Sequence, residues 1–499
     1  MAALKRLASE TAIYGLTTIV ARLFNYLLTP YWTRMLPEQK DFGIVTQVYA
    51  YVAFFMVLYT FRMETAFFRF EKEDKKAFST TSLAVLGVST VLSALIWLAS
   101  DALASLLEID KGTTYIQYIA LIMFFDAASA IPFAQLRVEG KAIYFGLLKV
   151  ANIAITMGLN FFFFSFAKDA WTRGDQWVEY IYSPDVPAIT YIFVANFAAS
   201  LFTFFFLLPT FIRFQQGFDA QLFKRIMKYT WPLIIVGMAG IANEVLDRVL
   251  LKHLLTGDLN YRDAQVGIYG ASYRLAMLMS IFTQAFNFAA DPFFFRNAKN
   301  KDAPELYAYV ARLFGVFLCL VFLGESLFLP ILQYFLGENY REAIHIVPIV
   351  LMANLCLGLY YNVSTWFKIK DKTLIGMYIA IGGAVITILA NLILVPYIGY
   401  EGAAWATLIC YSYMLVHTYL SGQKHYPVPY PVKDLLLYIF GAIAVYLLSG
   451  LIIEYILVEI FTETETSIPQ FTLNTLLFGS YLAIVYFIEK PKFLAHAQR

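Results

Sequence analysis

The sequence predicts an all-α integral membrane protein with about fourteen transmembrane helices, and three observations carry that prediction. The 499 residues are 60% hydrophobic and only 14% charged, whereas a soluble domain carries about 25% charged residues. Nine runs of at least 18 residues contain no Asp, Glu, Lys or Arg, and a helix needs about 20 apolar residues to cross a hydrocarbon core about 30 Å thick. Lys and Arg also alternate from loop to loop, as insertion into a bilayer requires.

The charge-free runs are 43–61, 77–100, 150–167, 186–212, 343–367, 373–400, 402–423, 435–453 and 466–488. Five more segments are long and apolar but carry charge: 8–30 with Arg22, 113–136 with Asp126, 229–254 with Glu244, Asp247 and Arg248, 266–290 with Arg274, and 306–335 with Arg312 and Glu325. With both termini on the cytoplasmic side, the inside segments hold 23 Lys and Arg and the outside loops only 8. A wrong number of helices would erase that asymmetry.

Other classes drop out. A net charge of +2 gives no reason to expect a nucleic-acid partner. Cys319, Cys356 and Cys410 fall singly in apolar stretches, without the paired spacing of a disulfide framework or zinc site, so neither a metal nor another cofactor is expected. The basic start MAALKRLASETAIYGL lacks a small-x-small cleavage site and reads as an uncleaved first helix. No Walker A, HExxH, GxSxG or CxxC motif is present, so ATP hydrolysis by this chain is not expected. The largest outside loop, 168–186, leaves little room for chemistry outside the membrane.

An internal repeat sets the organisation. Residues 43–70 and 267–296 both open Gly-Ile and both close acid-x-x-Phe-Phe-Arg, from Glu64 to Arg69 and from Asp291 to Arg296. Gly146 with Gly376 and Asn160 with Asn391 follow nearly the same offset, which runs from 224 to 231 throughout. An even number of helices separates the mates, so these are parallel repeats, an arrangement that puts a transport site between two halves. The expected divisions are 1–215 for helices 1–6, 216–425 for helices 7–12, and 426–499 for two added helices.

Charge inside a membrane costs roughly 2.5–3.5 kcal/mol at a helix centre, so it marks a partner or a wet cavity. Arg22, Arg62, Asp126, Lys149, Glu244, Asp247, Arg248 and Arg274 sit on helices 1, 2, 4, 5, 7 and 8, while helices 6, 10, 11 and 12 carry none in their cores. Arg22, Lys149 and Arg274 have no opposite charge at i±3 or i±4. The positive excess suits an anionic head group such as a diphosphate, because Arg and Lys both recognise phosphate oxygens. Asn25 and Asn152, with Tyr14, Tyr26, Gln284 and Asn287, add groups able to bind sugar hydroxyls. Asp126, Glu244 and Asp247 are the candidate groups for coupling to protons or sodium ions.

Simpler roles stand beside these. Glu244 and Arg248 are i,i+4 and able to neutralise each other. Arg62, Glu64 and Arg312 can snorkel to an interface, and Asp126 can serve as counter-ion to Lys149 or Arg22. Gly237, Gly240 and Pro232 allow close packing and bending of helix 7. Pro132, Pro292 and Pro330 read as helix terminators.

The stretch LASETAIYGLTTIVARLFNYLLTPYWTRMLPEQKDFGIVTQVYAYVAFF, followed by METAFFRF, NEVLDRVLLKHLL (243–255) and YRLAMLMSIFTQAFNFAADPFFFR (273–296), resembles the bacterial polysaccharide biosynthesis proteins related to Wzx-like O-antigen flippases. These belong to the multidrug/oligosaccharidyl-lipid/polysaccharide (MOP) exporter superfamily. The resemblance implies two six-helix lobes plus two helices in a bacterial inner membrane. It also implies translocation of an undecaprenyl-diphosphate-linked oligosaccharide to the periplasmic leaflet, in a pathway that includes a polysaccharide polymerase or glycosyltransferases. Arg22, Arg62, Arg248 and Arg274 occupy positions comparable with the basic cavity residues of that family. The alternatives are a multidrug extruder of the same fold, which favours an acidic cavity, and a membrane glycan polymerase or ligase using Asp169, Asp175, Glu179 and Asp185 on the 168–186 loop.

Overall fold

A chain surrounded by hydrocarbon must satisfy every backbone polar group internally, which leaves helices as the economical answer. The computed structural model describes residues 2–109, 111–211, 217–298, 300–370, 372–457 and 467–497, and these are helical almost throughout, with no strand among them. In chain order the helices are α1 (Ala2–Met35), α2 (Gln39–Thr60), α3 (Met63–Phe70), α4 (Ala77–Leu98), α5 (Ser100–Leu106), α6 (Gly112–Val138), α7 (Ala142–Phe161), α8 (Lys168–Arg173), α9 (Ala188–Leu207), α10 (Ala220–Leu254) and α11 (Leu259–Asn297). They continue with α12 (Ala303–Leu327), α13 (Leu329–Leu332), α14 (Val347–Val363), α15 (Thr365–Ile369), α16 (Thr373–His425), α17 (Val432–Ile452) and α18 (Ser467–Ala497).

Ten of the described helical segments are long and apolar enough to cross a membrane. One of them, α16, has 53 residues and is two spans: Ile398 and Gly399 leave the helical conformation, and Gly399 takes φ +59°, ψ −138°, which a side chain would oppose. The long helices α1, α10 and α11 carry the embedded charges and complete fourteen spans. Asp219 starts α10 by accepting from the Gln221 and Leu222 amides at 3.0 Å each, and those bonds, Leu222 first, hold its carboxyl below the usual range.

The chain divides into two compact units, residues 1–270 and 271–499, with the boundary inside α11. In the first unit α6 packs between α4 and α9, α7 packs on α9 and α1, and α10 lies along α2. In the second unit α14 lies along α16, and α12 packs on α14 and α17.

The paired positions of the sequence can be followed in the packing. Gly43 of α2 and Gly267 of α11, the two Gly-Ile starts, lie where these helices cross within the first unit. A Cβ at Gly43 would strike the Asp263 carbonyl, and one at Gly267 would strike that of Gln39. Both obstacles are backbone, so only glycine admits this approach. The second pair of mates shares a bonding pattern: Asn160 donates to the Thr156 carbonyl at 2.7 Å, and Asn391 to the Thr387 carbonyl at 2.8 Å.

Two expectations are corrected here. Pro132 does not end a helix, because α6 runs on to Val138 with the proline inside it. Pro330 does follow a stop, lying in the first turn of α13 after α12 ends at Leu327. Arg312 is not a free snorkelling anchor. Its guanidinium lies 2.7 Å from Asp434 and 2.8 Å from Glu489, and Tyr438 donates to the same Glu489 carboxylate. These bonds fasten α17 and α18 to α12.

Candidate functional site

The first unit contains a backbone break that its sequence does not announce. Helix α2 stops at Thr60, and Phe61 and Arg62 both adopt the left-handed conformation, at φ 47° and 55°. Neither is glycine, and each such residue costs about 1–2 kcal/mol. Such strain persists only where the surroundings hold it, and it concentrates at working sites. Here Met63, Ala66 and Phe67 of α3 are buried at 1%, 0% and 0% exposure, and Phe67 meets Phe78 with ring centroids 6.1 Å apart. The anchored α3 thus fixes the position of Arg62.

The Arg62 guanidinium rests on α10 at Gly237. A Cβ built there would come within 2.6 Å of Arg62 Nε and Nη2, so the missing side chain is what gives the arginine its seat. Gly240, by contrast, faces open space. Glu64 turns away from Arg62 and pairs with Arg137 at 2.9 Å. Among the described residues Arg62 forms no ion pair.

Lys149 lies close to this group. Its Nζ stands 4.2 Å from the Phe133 ring centroid and feels the charges of Asp126 and Glu64. Asp126 hydrogen-bonds Ser200 and interacts with Lys149, which fits the counter-ion role. Arg69 stacks over Tyr229 at 5.0 Å. This end of the unit therefore gathers the cations Arg62, Arg69, Arg137 and Lys149 beside the acids Glu64 and Asp126, while the further acids Glu139 and Glu73 are paired with Lys141 and Arg225. Its field favours an anion.

Two further charges of the unit, Asp247 and Arg248, are engaged. Arg248 reaches the Glu244 backbone carbonyl at 2.8 Å and lies 3.7 Å from the Asp247 carboxylate. The neutralisation expected between Glu244 and Arg248 thus falls to Asp247, which also accepts from Tyr269 at 2.5 Å. The Glu244 residue is exposed. Asn152 donates to Thr203 at 2.9 Å, tying α7 to α9. Arg22 and Asn25 stand on an exposed stretch of α1 spanning 22–25, and Arg22 forms no ion pair among the described residues. Tyr26 is buried; Tyr14 and Asp291 lie outside the described side chains.

Sequence reading gave no role to Lys252, yet among the described residues it is the most deeply buried charge of this unit, at 0% exposure. Its Nζ lies 2.8 Å from Asp263, 3.1 Å from Gln47 and 2.8 Å from the Glu108 carbonyl. Arg262 pairs with the Glu108 carboxylate at 2.9 Å. The available signal was the short 255–258 link, which folds the end of α10 against the start of α11 and brings Lys252 to Asp263.

In the second unit Arg274 is half-buried, and nearby Asn354 donates to the Ala276 carbonyl at 2.9 Å. Gln284 and Asn287 are partly buried on the same helix. Glu325 is only 8% exposed, and its Oε1 has no hydrogen-bond partner among the described residues. On the 168–186 loop Asp175 is paired with Arg173 at 3.2 Å.

With the geometry described, comparison with known proteins adds the following. Residues 7–298 match the family described as polysaccharide biosynthesis protein. Comparison with curated protein sequences returns no significant match. Among solved structures, "Lipid II flippase MurJ, inward closed conformation" superposes with a TM-score of 0.71 at 13% identity, covering 94% of this chain and 98% of that one. An inward-facing multidrug resistance MATE family transporter of the MOP superfamily gives 0.63 at 14% identity, covering 83% and 95%. An outward-facing transporter of that same family gives 0.54 at 15%, covering 87% and 96%. At these identities the likeness speaks for the fold.

Proposed function

Since this chain belongs to the polysaccharide biosynthesis protein family and is a multi-pass membrane protein with the MOP transporter fold, we propose that it is a flippase for a lipid-linked oligosaccharide. The substrate is an undecaprenyl-diphosphate-linked repeat unit of a surface polysaccharide, moved from the cytoplasmic to the periplasmic leaflet of a bacterial inner membrane with both termini cytoplasmic. One observation carries the reading: the Arg62 guanidinium, without an acidic partner among the described residues, seated on Gly237 within a cationic end of the first unit. A cation without an acidic partner is open to an anionic ligand, and a diphosphate offers several oxygens to a planar guanidinium.

Arg62 and Arg22 are the principal phosphate contacts in this reading. Arg248, Arg274 and Lys149 supply supporting positive charge, and Asn25 and Asn152 face the sugar. Helices of 1–215 and 216–425 act as the two moving lobes, with 426–499 added to them. The protein works as a transporter rather than an enzyme, alongside the polymerase or glycosyltransferases of its pathway. Asp126, Glu244 and Asp247 are the candidate coupling groups for protons or sodium ions, and Glu325, buried without a hydrogen-bond partner at Oε1 among the described residues, joins them.

Two experiments test this. Purified protein in liposomes is expected to move a diphosphate-linked glycan across the bilayer without any nucleotide. Strict dependence on ATP, or transport of organic cations in its place, would overturn the reading and in the second case favour the extruder. Gly237→Ala is expected to lower translocation several-fold at an unchanged protein level, because the added methyl pushes away the flexible end of Arg62 rather than backbone. Gly240→Ala, which meets nothing within 4 Å, should translocate normally.

A further inference from the structure

The segment that joins α7 to α9 folds into a small cap with an aromatic surface left outside. Val178 is fully buried against Ala167 and Ala170. The Tyr191 hydroxyl of α9 accepts from the Ser183 amide at 2.8 Å and donates to the Ser183 carbonyl at 3.1 Å, and the Tyr191 ring stacks with those of Phe163 and Tyr182. With the cap held at these two points, Trp177 and Tyr180 stay 44% and 90% exposed. The Trp177 ring lies 5.8 Å from that of Phe166, which is itself 53% exposed.

This surface continues the outward face of α7. The exposed residues Ile143, Leu147, Val150, Ala154, Gly158 and Phe161 follow one another by three or four positions, the spacing of a single helix face, and none has a polar side chain. Phe166 comes five positions after Phe161. The helix is π-wound from Phe162 to Ala167, and a π turn closes i to i+5, one residue more than an α turn. The wider turn keeps Phe166 on the α7 stripe, and Trp177 extends that stripe sideways. On a membrane-spanning segment, which Ala142–Arg173 is long and apolar enough to be, such an unbroken apolar stripe meets hydrocarbon.

Length places the end of the stripe. Helix α7 begins just after the exposed Lys141, and its 20 residues to Phe161 rise about 30 Å, the thickness of the hydrocarbon core. Phe166, Trp177 and Tyr180 therefore stand where acyl chains give way to head groups, beside the exposed Lys168 and Asp169. Trp and Tyr favour that level because each ring joins an apolar body to a polar tip.

We propose that the 168–186 cap is docked on the lipid head-group layer through Phe166, Trp177 and Tyr180. Charge does not drive the contact: the segment holds two bases, Lys168 and Arg173, and four acids, Asp169, Asp175, Glu179 and Asp185, so an anionic surface would repel it. The partner is a zwitterionic lipid surface, and the docking rests on burial of the rings. It depends neither on the solute transported nor on the orientation of the chain in the membrane.

Tryptophan fluorescence of the full-length protein in phosphatidylcholine bilayers tests it, with the Trp177→Phe variant subtracted to isolate Trp177 among the seven tryptophans. Phenylalanine keeps a ring against Phe166, so the reference variant retains the fold. Lipid brominated near the glycerol end of its acyl chain is expected to quench the difference signal at least twofold more than lipid brominated at the chain terminus. Aqueous iodide should quench it several-fold less than free tryptophan, and high salt should change neither result. Strong quenching by iodide with no response to either brominated lipid would overturn the proposal. So would stronger quenching from the chain terminus, or loss of the lipid response in high salt.

Discussion

Arg62→Ala is expected to reduce translocation of the lipid-linked glycan roughly ten- to a hundredfold, since hydrogen bonds to charged groups contribute about 1.5–3 kcal/mol each and 1.4 kcal/mol is a factor of ten. The amount of folded protein should not fall. Arg62 is exposed and unpaired by acid, and the burial that anchors α3 comes from Met63, Ala66 and Phe67. The backbone offers a sharper control. Arg62 holds φ at 55°, so Arg62→Gly removes the guanidinium and relieves the strain together. That variant should be at least as stable as wild type and equally inactive, and Arg62→Lys should recover part of the activity. Glycan export in cells lacking the native protein, set beside thermal unfolding of each variant, checks all three.

Lys252→Met is expected to have the largest effect on stability. The lysine and Asp263 are 0% and 3% exposed and 2.8 Å apart, and removal of one partner strands the other charge at a cost of about 3–5 kcal/mol. The Gln47 and Glu108 oxygens lose their donor as well. Replacing both ions, as Lys252→Met with Asp263→Leu, should recover much of the loss, because buried ion pairs often give little net stability over apolar side chains. Thermal unfolding of the purified single and double variants measures both effects. If the single variant is as stable as wild type, the pair does not fasten α10 to α11.

The spans were legible in the sequence because the bilayer is a severe solvent: it sets helix length, excludes charge and biases the loops. The glycine crossing was half legible. Gly43 and Gly267 appeared as repeat mates, but sequence alone could not say that the mates touch. The break at Phe61–Arg62 was not legible, since left-handed residues are normally announced by Gly or Asn, and here the anchoring of α3 overrides local preference. Arg62 and Glu64 read alike as snorkelling neighbours until their directions separated, one toward Gly237 and the other toward Arg137. Periodicity also misplaced the partner of Arg248. The i,i+4 spacing pointed to the Glu244 carboxylate, whereas the side chain reaches that residue's carbonyl and Asp247. Arg312 was read from its helix alone, and its acids come from α17 and α18, more than a hundred residues away.

The most direct measurement is binding of a water-dispersed polyprenyl diphosphate and the matching uncharged polyprenol to wild-type and Arg62→Ala protein in detergent. The account predicts that wild type prefers the diphosphate by at least tenfold, that Arg62→Ala loses most of that preference, and that the weak binding of the polyprenol is the same in both. Equal preference for the diphosphate in wild type and Arg62→Ala would contradict the assignment of the head-group site.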